Sequence, residues 1–132
     1  MKNLKKLMFV ISACLLITAC GPKSPREVVK TVITASQKLD FETLKKHIPS
    51  KRMTRLEEKE KNFKENPDEA ADFILMVKDA KIEFISETIS EDGNSATVTV
   101  KISNVKGADE AFENNIDLIK ENGEWKFDES PF

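Results

Sequence analysis

The sequence predicts an α+β fold, with helices first and a four-stranded antiparallel sheet after them. Three observations carry this reading. Apolar residues recur at helical spacing from Ser24 to Val77, and the period drops to two after Ala80. Asn122-Gly123 then supplies a strong hairpin signal between the last two strands. Neither an amphipathic helix nor a half-apolar sheet can bury its own stripe, so the helices must cover one face of the sheet.

The segment before this domain has a different character. Met1 to Lys6 holds Lys2, Lys5 and Lys6, and Leu7 to Ala19 is an apolar run of thirteen residues that ends at Cys20. A spanning helix needs about 20 apolar residues, whereas a signal-peptide core needs about 7–15. Leu16-Ile17-Thr18-Ala19-Cys20 resembles the lipobox of bacterial lipoproteins. The resemblance implies cleavage after residue 19, a diacylglyceryl group on the Cys20 sulfur, and further acyl chains such as palmitate. Residues 20–23 become a lipidated Cys with a short tether, and residues 24–132 a single domain. At ~3.3–3.6 Å per residue, the tether holds the domain within roughly 10–15 Å of the bilayer.

Removing residues 1–19 takes away three lysines and no acid, leaving 18 basic against 23 acidic side chains, a formal charge of −5. That balance argues against a nucleic-acid partner, which needs clustered positive charge. It also argues against electrostatic adhesion to anionic lipid and leaves membrane affinity to the acyl chains, of which two or more hold stably. Cys14 leaves with the signal peptide and Cys20 is alkylated, so no disulfide can form.

Within the domain, Ser24-Pro25-Arg26-Glu27 reads as a capped helix start, followed by Val28, Val29, Val32 and Ile33, with Leu39 near the end. Asp40 caps a short second helix with Phe41, Leu44 and Ile48, stopped by Pro49. Ser50 is the expected cap of a third helix over 51–65, with sparse apolar positions at Met53, Leu56 and Phe63. Glu57–Lys61 and Glu60–Lys64 are its expected i, i+4 pairs, and it is the helix expected to be least buried. Asn66-Pro67 opens a fourth helix, whose broad apolar face contains Phe73, Ile74, Met76 and Val77.

Residues 81–89 form the first strand. Ile82 and Phe84 share one face while Ile85 and Ile89 fall on the other, which calls for a bulge or a doubly covered strand. Glu91-Asp92-Gly93-Asn94 is a turn, since it lacks calcium-ligand spacing. Ser95 to Ser103 alternates, with Ala96, Val98, Val100 and Ile102 inward. Gly107 marks a longer connection. Ala111 to Lys120 places Phe112, Ile116 and Leu118 inward and is interrupted by Asn114, and Glu124 to Asp128 follows with Trp125 and Phe127 on one face.

Ser24-Pro25-Arg26-Glu27-Val28-Val29, Leu39-Asp40-Phe41-Glu42, Ala96-Thr97-Val98-Thr99-Val100 and Gly123-Glu124-Trp125-Lys126-Phe127 occur in an order that resembles the DUF4878 family of small bacterial lipoproteins. The similarity spans roughly residues 22–128. It implies an NTF2-like or cystatin-like fold, a curved sheet wrapped around helices as a cone, and no particular reaction.

The residues offer little chemistry. His47 is the single histidine, so no multi-histidine site exists, and its place at a helix end suits a positive ring facing the dipole. There is no Tyr, and alternation puts Asp117 and Asp128 opposite the core face. No catalytic residue, metal site or cofactor is predicted. Phe73, Phe84, Phe112, Trp125 and Phe127 are the candidate core residues, or pocket wall if the cone is open. The reading is a non-enzymatic, lipid-anchored domain of the bacterial cell envelope that binds a small apolar ligand or an envelope protein, or serves a structural role near the membrane. An enzyme using a carboxylate buried in the cone, and an inhibitor or recognition module, are the alternatives. Gly21 after the cysteine favours the outer membrane in a Gram-negative source. Cys20→Ala is expected to abolish incorporation of labelled palmitate; label retained by that variant would refute the anchor.

Overall fold

A computed structural model describes residues 22–132 of the protein. The segment expected to be a signal peptide (1–19), Cys20 and Gly21 lie outside the described residues. Four helices precede a four-stranded antiparallel sheet. They are α1 (Pro25–Gln37), α2 (Phe41–His47), α3 (Met53–Glu65) and α4 (Pro67–Val77), with a 3₁₀ turn at Ser50–Arg52. The strands β1 (Lys81–Ile89), β2 (Ser95–Ser103), β3 (Phe112–Glu121) and β4 (Glu124–Phe127) form a simple meander in the order β1-β2-β3-β4.

Helix α1 is the central packing element. Ser24 Oγ accepts the Glu27 N–H at 3.2 Å and Pro25 occupies the first turn, as its sequence dictates. Val28, Val29 and Val32 are buried against Val98 and Val100 of β2, Ile116 and Leu118 of β3, and Phe127 of β4. Each such apolar side chain contributes about 1.5–3 kcal/mol on burial. Leu39 falls outside the helix, at φ 52°, in the turn to α2. Asp40 caps α2 by accepting from Thr43 N (3.2 Å) and Thr43 Oγ1 (2.6 Å).

The entry to α3 differs from the expectation. The Ser50 side chain makes no capping bond; instead its backbone N–H donates to the Glu121 carboxylate (3.1 and 3.3 Å) at the end of β3. A distant acid thus supplies the acceptor, and a 3₁₀ turn delays the helix to Met53. Of the expected ion pairs along α3, Lys64–Glu60 forms (3.5 Å), but Lys61 turns to Glu65 (3.9 Å) rather than Glu57.

The least buried helix is α4, not α3. Leu56 and Phe63 of α3 are buried, whereas no residue of α4 is. Its apolar face is only partly covered, leaving Leu75 48% and Met76 38% exposed. Pro67 opens it as expected, but the Asn66 side chain turns back to donate to Asn62 of α3.

The bulge in β1 is present, with the register shifting between Phe84 and Ser86. Ile82 and Phe84 pair with Ile102 and Val100, on the core face. Beyond the bulge, Ile89 lies opposite Ala96, so it returns to the core face instead of sharing the outer one with Ile85. It stays 49% exposed at the last position of the strand. Glu87 likewise pairs with Val98 and accepts the Arg26 N–H of α1 at 3.0 Å. Asn122 (φ 54°) and Gly123 (φ 78°) form the two-residue hairpin loop between β3 and β4. Leu118→Ala is expected to cost about 2–5 kcal/mol in urea denaturation, and Leu75→Ala under about 0.5; equal losses would contradict this distribution of the core.

Candidate functional site

The uncovered face of α4 borders an apolar cavity of about 290 Å³. Its walls come from four directions. Ile33 belongs to the C-terminal half of α1, and Phe73, Met76 and Val77 to α4. Ile102, Phe112 and Ile116 line the sheet side together with Phe127, and Pro131 and Phe132 close it from the C-terminal segment. The sheet positions follow from alternation, since Ile102 pairs with Phe112 and Val98 with Ile116.

Two hydrogen bonds join the elements beside the cavity. Gln37 Nε2 donates to the carbonyls of Val77 (2.8 Å) and Ala80 (3.1 Å), fixing the end of α1 to the α4–β1 turn. Behind the wall is a cluster of four phenylalanines. Phe132 lies 5.2 Å from Phe73, 5.5 Å from Phe41 and 5.6 Å from Phe63 between ring centroids, within the range of favourable aromatic pairs.

The polar groups around the cavity are few. Ser36 is buried, but its hydroxyl donates to Val32 O at 2.8 Å and offers its proton to nothing else. Asn114, paired with Val100 and therefore on the core face, sits exposed among the lining residues with Ser130. Among the described residues, no carboxylate, histidine or cysteine lines the cavity. Among the described residues no cluster of three His, Cys, Asp or Glu side chains could hold a metal ion. The cavity can therefore enclose an apolar body and offer an amide or hydroxyl to its polar end. Its volume lies near the lower bound of small-molecule sites, about 300–1,000 Å³.

Of the five aromatic residues singled out from the sequence, the structure brings Phe73, Phe112 and Phe127 together here. Phe84 lies under the Arg26 guanidinium, 4.7 Å from its ring centroid. Trp125 is buried near the opposite end of α1, with the Lys120 ammonium 5.1 Å from its ring. Sequence reasoning missed Phe132, which follows the last strand and has no periodicity to mark it. It also missed Ile33 and Val77 as wall residues, because helical spacing identifies an apolar face without saying whether another element covers it.

Trp125 borders a second, more polar depression of about 520 Å³, lined also by Pro22, Lys23, Val28, Lys46, His47, Glu124 and Lys126. His47 closes α2 as expected, but its charge is not as expected. Burial lowers its pKa, and Lys23 and Lys126 lower it further against the hydrogen bond to Thr43 O. The neutral ring donates from Nδ1 to Thr43 O (2.8 Å), leaving Nε2 to accept from the Lys23 ammonium (3.4 Å).

Asp117 of β3 and Asp128, just past β4, are not among the residues lining the cavity. Asp117 accepts from Thr97 Oγ1 at 3.0 Å. Asp128 takes Arg52 at 2.7 Å and Lys51 at 2.9 Å. Burial raises the Asp128 pKa, but the hydrogen bonds from Arg52 and Lys51 and their charges outweigh it, and the net shift is downward.

Together these features define a small α+β domain with an apolar cavity between its helices and its sheet. The chain belongs to the DUF4878 family, described as a domain of unknown function, whose family model matches residues 18–128. The match begins slightly ahead of the expected boundary and takes in Cys20. No curated protein and no solved structure matches the chain.

The Asp128 interactions lead to a pH prediction. A carboxylate with a depressed folded pKa stabilises the fold above its unfolded value and loses that contribution as pH falls through the folded one. Asp128→Asn is expected to cost about 1–2 kcal/mol at neutral pH. The difference from wild type should shrink as pH falls below 3.8. A pH-independent difference in urea denaturation would contradict the ion-pair account.

Proposed function

We propose that this protein is a lipid-anchored domain of the bacterial cell envelope that holds a small apolar ligand in the cavity between α1, α4 and the sheet. The observation that carries the reading is the cavity itself. A side chain ordinarily fills such a gap, yet here about 290 Å³ stays open beside a helix with no buried residue. Burying that surface under a ligand would gain roughly 25 cal/mol per Å² of apolar area.

The lining supports binding over catalysis. An enzyme built on a carboxylate in the cone would need an acid among the apolar residues, and the described residues of the wall include none. Glu87 is engaged on α1, and Asp128 on Lys51 and Arg52. A helix layer over an antiparallel meander is also consistent with an NTF2-like or cystatin-like relationship. The anchor rests on the lipobox resemblance of Leu16 to Cys20. With Gly21 next in the chain, the periplasmic face of the outer membrane is the favoured location in a Gram-negative source.

The buried core of the described residues lies within 22–132, the segment taken for a binding test. The fluorescent probe 8-anilinonaphthalene-1-sulfonate should bind this domain, with decanoate displacing it. Ile102→Trp and Ile33→Trp, which fill the cavity, should each weaken binding roughly tenfold or more without lowering the melting temperature. Absence of probe binding, or filled variants that bind as wild type does, would refute the ligand reading.

A further inference from the structure

The two ends of α1 differ in chemistry. The cavity uses Ile33, Ser36 and Gln37 near its C-terminus, whereas the depression beside Trp125 uses Pro22, Lys23 and Val28 at and before its N-terminus. Ser24 and Ser36 are separated by about 18 Å along the helix axis at 1.5 Å per residue. Three lysines against one glutamate surround the depression, in a domain whose total charge is negative.

The lysines are arranged around backbone and neutral partners. The Lys23 ammonium rests on Thr31 Oγ1 (3.1 Å) and His47 Nε2 (3.4 Å), and neither removes its charge. Lys126 donates to the Lys46 carbonyl at the end of α2 (2.7 Å) and lies 3.3 Å from Glu124. Lys46 itself is exposed. The depression therefore keeps a net positive charge, and the lowered pKa of His47 fits that field.

Cys20 lies two residues before Pro22, so its sulfur is within roughly 7 Å of chain of this surface. On the reading that Cys20 is acylated, no other part of the domain is tied so closely to the bilayer. We propose that the Lys23–Lys46–Lys126 depression docks onto the phosphate headgroups of an anionic membrane and sets the orientation of the domain. The acid-rich remainder is repelled by the same surface. The cavity, at the other end of α1, is then held away from the anchoring bilayer.

Trp125 is the only tryptophan in the chain and borders the depression, so it reports docking directly. The test uses the intact acylated protein on vesicles of phosphatidylcholine alone, or of phosphatidylcholine and phosphatidylglycerol in equal parts. Both carry a headgroup-linked quencher. Quenching of Trp125 should be stronger on the anionic vesicles, and Lys23→Gln/Lys46→Gln should remove that difference. Each lysine near an anionic surface is worth roughly a fivefold change in the docked-to-undocked ratio. Lys126 is left intact because it caps α2.

Equal quenching on the two vesicle types by protein that floats with both overturns the docking and leaves the anchor standing. Failure to float with neutral vesicles overturns the anchor, and the docking with it. If inorganic phosphate shifts Trp125 emission and cancels the vesicle difference at constant ionic strength, the depression serves a soluble phosphate ligand and the membrane assignment is wrong.

Discussion

Everything in this domain hangs on the burial of one face of α1 against the middle of the sheet. Val28, Val29 and Val32 meet the inward side chains of β2, β3 and β4, and all of these are almost wholly excluded from water. A four-stranded meander with one apolar face has no stability without such a cover. The helix also spans the layer from one end to the other, so its placement sets the position of both surface features. Its N-terminus meets Glu87 and the depression around Trp125, and its C-terminus meets the α4–β1 turn and the cavity.

The cavity follows from what α1 leaves uncovered. One helix of thirteen residues cannot shield the whole sheet face, and α4 approaches the remaining part without sealing it. Phe132 fills some of the gap, stacking among Phe41, Phe63 and Phe73, yet Met76 and Phe112 stay exposed beside it. Exposed apolar groups beside an open apolar cavity are a local cost to stability, and sites that break a packing rule in this way are frequent locations of function.

Charge is distributed with the same polarity. The domain is acidic overall, but its basic groups are used at specific places. Arg52 and Lys51 hold Asp128, Lys126 caps α2, and Lys23 rests on His47. The single histidine is neutral for reasons outside its own helix, since burial and two neighbouring lysines oppose its protonation. The helix dipole alone would favour the opposite charge state.

The elements were legible in the sequence because their signals are local. Ser24-Pro25 starts α1, Asp40 caps α2, the alternation of Ala96 to Ser103 makes β2, and Asn122-Gly123 turns β3 into β4, each through neighbours in the chain. The match to the DUF4878 family agrees with motifs that are equally local. What lay outside that reach was decided between elements. Glu121 displaced Ser50 as the acceptor at the α3 entry, and the bulge at Ile85 returned Ile89 to the core face. The exposure of α4 could not be read from its apolar run, and the five aromatic residues gave no sign that only Phe73, Phe112 and Phe127 would share a wall. Periodicity reports which face of an element is apolar. Whether that face is covered, and how much space is left, depends on the relative placement of segments far apart in the chain, which only the packed structure determines.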